Sequence, residues 1–144
     1  MCFLQATEKE LEIVEYLRKN CVWEFIHNQT LGSECTKNDR KNTNGHLYPD
    51  IIFDGVWFHL IVEIDEHQHR GADYKCDERR MYDIIAKLGM PCVFIRYNPD
   101  NKKSNSKYLL ERVNYYFELK KDLESKPIVF DDYGFKVEYL FYEK

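Results

Sequence analysis

Residues 48–69 read YPDIIFDGVWFHLIVEIDEHQH, two apolar runs that each meet acidic residues, and the way these runs fold decides the architecture of the chain. Isoleucine, valine and phenylalanine dominate both, which suits extended backbone because such side chains pack well on a pleated surface. Strands are expected over residues 50–53 and 56–65, and the turn signal Asp54-Gly55 near their junction makes them an antiparallel hairpin. Successive side chains of a strand point to opposite faces, so Glu63 and Asp65 share one face while Val62 and Ile64 take the other, toward the core. A strand that is merely core has no use for two neighbouring carboxylates. Like charges that close are costly without a cation or a shared proton, and paired hard oxygens are what Mg²⁺ or Mn²⁺ prefers.

The hairpin register bears on a third acid. A strict two-residue turn at Asp54-Gly55 pairs Asp50 with His59 and leaves Glu63 four residues farther on, roughly 13 Å at the usual strand rise. A site that uses Asp50 and Glu63 together therefore requires a wider or shifted turn, reaching into Val56 and Trp57, or a bulge.

Working outward, Thr7 is placed to cap a helix over 8–20, with Leu11, Ile13, Val14 and Leu17 as its apolar face and Asn20 as its stop. A short aromatic and β-branched run covers 22–26, and the polar segment 32–45 reads as a loop. Met81, Ile84, Ile85 and Leu88 have helical spacing over 74–88, closed by Gly89 and Pro91, and CVFIRY at 92–97 is a buried strand. This strand–helix–strand unit predicts a right-handed crossover and a parallel pair. Another helix follows over 106–123, and 127–132 with 135–142 read as a final hairpin turning at Gly134.

A chain of 144 residues, 44% hydrophobic and 15% aromatic, can enclose a core as one domain over 1–144, which sets disorder aside. Its apolar runs are too short to cross a bilayer and its first ten residues lack a signal-peptide profile, so a soluble intracellular protein, of cytoplasm or nucleus, is expected. The net charge of −4 argues against general coating of nucleic acid, which needs a basic excess to displace phosphate counterions. It leaves a nuclease open, because metal-binding carboxylates make a site acidic until cations occupy it. Cys2, Cys21, Cys35, Cys76 and Cys92 are odd in number and form no CxxC pair, so they read as reduced thiols, and their spacing proposes no zinc site.

Pro49-Asp50 followed by Glu63-Ile64-Asp65 resembles the signature of the PD-(D/E)xK nuclease superfamily, with Asp65 where the family has its lysine. The variant EID followed by Gln68-His69 is nearest in style to the very short patch repair endonuclease branch, where histidine or glutamine takes over some of the lysine's work. The resemblance covers about 7–99, with 77–80 and the run FIRYNPD included. It implies an α/β, restriction-endonuclease-like fold, a mixed β-sheet flanked by α-helices, to which the tail adds a C-terminal helix and β-hairpin. It further implies one or two Mg²⁺ (or Mn²⁺) ions held by Asp50, Glu63 and Asp65, with the Ile64 carbonyl as an added ligand, and a metal-dependent endonuclease hydrolysing phosphodiester bonds. DNA is favoured over RNA through the resemblance alone.

Glu10 carries two open readings. With Thr7 it completes a T-x-x-E capping box. It also lies on the inward stripe of the helix, and the resemblance implies a first-helix glutamate that reaches the metal site, as members of that superfamily have. His67 and His69 share the face of Glu63 and Asp65 if the strand continues, and His69 is the candidate for proton transfer, with Gln68 holding a water or a phosphate oxygen. His27, His46 and His59 read as structural or exposed. Phosphate contacts fall to Lys37, Arg40 and Lys41 before Asp50, Arg79 and Arg80 on the helix, and Arg96 at a strand end. Two rivals stand beside the nuclease: a nucleic-acid-binding module of the same fold that has lost cleavage, and a small-molecule metalloenzyme using His67, His69 and a carboxylate on Fe²⁺ or Zn²⁺. A homodimer is left open.

Overall fold

The computed structural model describes residues 7–28, 49–66, 72–121 and 128–142. Helix α1 (Glu8–Asn20) starts where the Thr7 hydroxyl accepts the N–H of Glu10 at 3.2 Å, meeting one of the donors that a helix N-terminus leaves without a partner. Ile13, Val14 and Leu17 form its buried stripe, while Leu11, expected on the same face, is half exposed. Then come strands β1 (Phe25–His27), β2 (Ile51–Asp54) and β3 (His59–Ile64), helix α2 (Ala72–Leu88), strand β4 (Cys92–Tyr97), helix α3 (Ser106–Lys121) and strand β5 (Phe135–Leu140). Gly89 ends α2 as expected: at φ +70° it takes the left-handed conformation that glycine adopts without strain, and its N–H caps the Ile85 carbonyl at 2.8 Å.

The strands form one sheet in the order β1-β2-β3-β4-β5, antiparallel across the first three and parallel across the last three. Alternation sorts their side chains into two layers. Ile51, Phe53, Leu60, Val62, Val93 and Ile95 pack with Ile13, Val14 and Leu17 of α1 and with Leu109, Val113, Tyr116 and Phe117 of α3. Ile52, Ile61, Cys92 and Phe94 pack on the other side with Met81 and Ile84 of α2. The result is a mixed five-stranded sheet flanked by helices. Among the described residues no helix is long and apolar enough to cross a membrane.

The β2–β3 turn is the wide one. Asp54 pairs with His59, leaving residues 55–58 in the loop, so that β3 starts at His59 rather than at Val56. Asp54 Oδ1 accepts the Val56 N–H at 2.8 Å, the Gly55 N–H reaches the Phe58 carbonyl at 2.8 Å, and Val56 sits at φ +79°. The extra residues let Phe58 drop fully into the core. A Cβ on Gly55 would lie 2.5 Å from a Phe58 ring carbon and 2.7 Å from its carbonyl oxygen. Gly55→Ala is therefore expected to cost about 1–3 kcal/mol, the usual penalty of overpacking. A chemical-denaturation midpoint equal to that of the wild type would refute the crowding.

The C-terminal hairpin is not formed. Residues 128–130 are not a strand, and β5 instead lies parallel beside β4. The reason is β4 itself: all six of its residues are buried, and a strand covered on both faces needs a neighbour on each edge. Asp131 makes the entry to β5, its Oδ1 accepting the N–H groups of Tyr133 and Phe135 at 2.9 Å each. Within α3, the helical residues end at Lys121; 122 and 123, and the expected loop 32–45, lie outside the described residues.

Candidate active site

The wide turn sets the register. Ile51 faces Val62, so the next pair toward the mouth of the hairpin is Asp50 with Glu63, and the carboxylate of Asp50 folds over to accept the Ile64 N–H at 2.7 Å. Across the parallel ladder Glu63 faces Arg96, and the Asp65 N–H reaches the Tyr97 carbonyl at 2.7 Å. The acids are thus ordered along the ends of β2 and β3, and α1 adds Glu10 from one side. Exposures are low for charged groups: Glu63 4%, Glu10 8% and Asp65 8%.

Burial pushes the Asp50 carboxyl well above the ordinary carboxylate range, and the negative charges of Glu63 and Glu10 push it further, against the pull of the Ile64 N–H and of Arg80. The Asp50 carboxyl therefore senses both Glu63 and Glu10 through a poorly screened interior. Arg80 from α2 answers part of this charge, with Nη1 2.8 Å from Glu63 Oε1. Asp65 is answered differently. Arg96 grips it with Nε at 2.7 Å and Nη2 at 2.9 Å, one bond to each oxygen, and the Tyr142 hydroxyl donates to Oδ2 as well. Burial works against the Arg96 charge, but Asp65 and Glu63 together hold it above its ordinary range.

The Glu10 carboxylate is turned inward, where Oε2 lies 2.6 Å from His27 Nε2. Of the capping box, the Thr7 half is in place. His27 was not among the candidate residues. The signal lay in the alternation of β1, where Phe25 packs on Phe53 of the core, so that His27 two residues later shares its inward face.

The remaining candidates are dispersed. Arg96 is buried at 4% exposure and committed to Asp65, so it is not the surface phosphate contact expected of a strand-end arginine. Its place opposite Glu63, beside a buried aspartate, is why it turns inward. Arg79 is exposed on α2, one residue from Arg80. Lys37, Arg40, Lys41, His67, Gln68 and His69 lie outside the described residues. Cys21 and Cys92 are free thiols, and burial pushes Cys92 up to about 12, far from a reactive thiolate.

Among the described residues no group of three or more histidine, cysteine, aspartate or glutamate side chains is gathered so as to hold a metal ion. The donors at hand are nevertheless of the kind that Mg²⁺ takes: Asp50 and Glu63 offer hard oxygens in a buried, like-charged pair, and this ion binds through one or two carboxylates with water and substrate phosphate completing its shell. The third expected ligand, Asp65, spends both oxygens on Arg96. No protein-family model matches this chain, and the comparisons with curated proteins and with solved structures found no match.

Proposed function

We propose that this chain is a metal-dependent nuclease that hydrolyses phosphodiester bonds, with DNA as the preferred substrate class, and that Asp50 and Glu63 are its metal-holding carboxylates. The observation that carries this reading is the register that sets Asp50 beside Glu63, where burial first and then the charges of Glu63 and Glu10 raise the Asp50 pKa, an arrangement that a folded core would not keep without use. In a restriction-endonuclease-like scheme, Asp50 and Glu63 would hold a Mg²⁺ or Mn²⁺ ion, which would supply polarisation of the phosphate and a lowered pKa for the attacking water. The chain's own residues do the rest. The Ile64 N–H fixes the carboxylate of Asp50, and the Ile64 carbonyl is offered as a further ligand. Glu10 accepts a hydrogen bond from the attacking water, and Arg80, held against Glu63, neutralises the incoming phosphate, with Arg79 next to it. His69 donates a proton to the leaving oxygen, and Gln68 holds a phosphate oxygen or water.

A second reading has its own support. Glu63 and Asp65 are each neutralised internally, by Arg80 and Arg96, which suits a nucleic-acid-binding module of this fold that does not cleave. One experiment separates the two. Purified protein is incubated with supercoiled, linear and single-stranded DNA and with RNA, in Mg²⁺, Mn²⁺ or EDTA, and binding is followed in parallel by gel shift. Nicking or linearisation that EDTA abolishes is the expected result. Binding without cleavage in either metal would replace the nuclease by the module, and neither binding nor cleavage would remove both.

A further inference from the structure

We infer that His27 is a positioning residue of this site, holding the Glu10 carboxylate toward Asp50; the inference rests on the nuclease reading and names a group outside the pattern that suggested it. The argument starts with strand β1. It has three residues and pairs with β2 so that His27 faces Ile51, and the N–H of the next residue, Asn28, donates to the Asp50 carbonyl at 2.9 Å. The last residue of one short strand and the residue after it thus hold two of the acids: Asn28 grips the backbone of Asp50, and the His27 ring grips the side chain of Glu10.

A residue chosen only to fill the α1-facing layer at this position would be apolar, as Phe25 is two residues earlier. An imidazole is found instead, 2.6 Å from Glu10 Oε2, with side-chain exposures of 15% for His27 and 11% for Glu10. Glutamate has three rotatable bonds, and the N-terminus of α1 gives it a competing place to go, back onto the backbone at Thr7. The bond to His27 holds it inward instead, at the end of β1 whose next residue, Asn28, binds the Asp50 backbone. His27 touches neither Asp50 nor Glu63 in any described contact, so its influence on the site passes through Glu10. An outer partner that orients a carboxylate in this way commonly accounts for about ten- to a hundredfold in metal affinity or activity.

The test is a double-mutant cycle read in two ways, by Mn²⁺ binding, followed through the electron paramagnetic resonance signal of the free ion, and by cleavage kinetics at saturating metal. His27→Ala is expected to weaken Mn²⁺ binding or to lower kcat by about tenfold, with KM for DNA unchanged. His27→Gln, whose amide nitrogen can stand where imidazole Nε2 stands, should return both quantities to within about threefold of wild type. In a Glu10→Gln background, His27→Ala should add nothing, because the partner through which it acts is gone. If His27→Ala does not fold, His27→Asn takes its place, since its shorter amide falls short of Glu10. Wild-type values of both quantities in a folded His27→Ala protein, or an equal loss with and without Glu10, would overturn the inference. Should the wild type bind Mn²⁺ but cleave nothing, the nuclease reading falls while the Mn²⁺ arm still decides the role of His27. If it binds no Mn²⁺, both fall together.

Discussion

Asp50→Asn is expected to abolish cleavage and, in the metal-free protein, to raise the melting temperature. The two effects share one cause. As a carboxylate, Asp50 would supply charge to the proposed metal, and metal-derived stabilisation of several kcal/mol corresponds to at least about a hundredfold in rate at 1.36 kcal/mol per decade. Without metal the same charge stands buried beside Glu63 and Glu10, which is why its pKa lies well above the usual range. The sign of the pH dependence follows. A carboxyl whose folded pKa is raised contributes stability below its unfolded value of about 3.9 and loses that contribution as pH climbs to the raised value, because there the unfolded chain has released a proton that the folded protein still binds. Asparagine keeps an oxygen for the Ile64 N–H and removes the charge. In EDTA at neutral pH its melting temperature should exceed that of wild type, with the gap closing toward pH 4. Glu63→Gln should also lose turnover but become less stable, since Arg80 loses its carboxylate partner. An active Asp50→Asn protein, or one with a lowered melting point, would show that Asp50 serves the fold and not a metal.

The largest stability effect is expected at Arg96. Its guanidinium is 4% exposed and bound by both oxygens of Asp65, so Arg96→Met leaves a buried carboxylate with only the Tyr142 hydroxyl and should cost about 3–5 kcal/mol. For a domain of this size that is a fall of roughly 10–20 °C in melting temperature. Replacing both members, Arg96→Met with Asp65→Leu, should recover most of the loss, because no charge is then stranded in the core. Thermal melts of the single and double variants measure this directly. A double variant as unstable as Arg96→Met alone would mean that the arginine matters through its packing and not through the pair.

Local patterns carried most of the fold. Thr7 with the stripe Ile13, Val14 and Leu17, Gly89 after Leu88, and the apolar runs around Ile52, Ile61 and Phe94 each state their conformation through spacing and capping alone. The turn width was legible only as a condition, since Asp54-Gly55 invites a two-residue turn and the burial of Phe58, a tertiary fact, widens it. The pairing of β5 with β4 has the same origin. Alternation identifies a strand and is silent on which neighbour will pair with it, and the partner was decided by the uncovered edge of β4. In the site, Asp50 and Glu63 stand adjacent as that condition required, and Glu10 lies inward. Asp65 and Arg96 satisfy each other across 31 residues of sequence, a pairing that neither strand announces by itself. His27 was hidden because its significance depends on the helix packed above it.

The sheet order follows the order of the chain, β1 through β5, and this has a kinetic consequence. Each strand can be added to an edge already made, with no insertion between strands that have paired, so assembly can proceed in the direction of synthesis. The β2–β3 hairpin needs only local closure, which in isolated hairpins takes about 1–10 μs, and it brings Asp50 to Glu63 at once. Arg80 and Arg96 arrive later, with α2 and β4. The two acids meet early and their arginine partners come late, so that, on the proposed metal-holding role of Asp50 and Glu63, hairpin closure followed by stopped-flow refolding should be faster in Mg²⁺ than in EDTA.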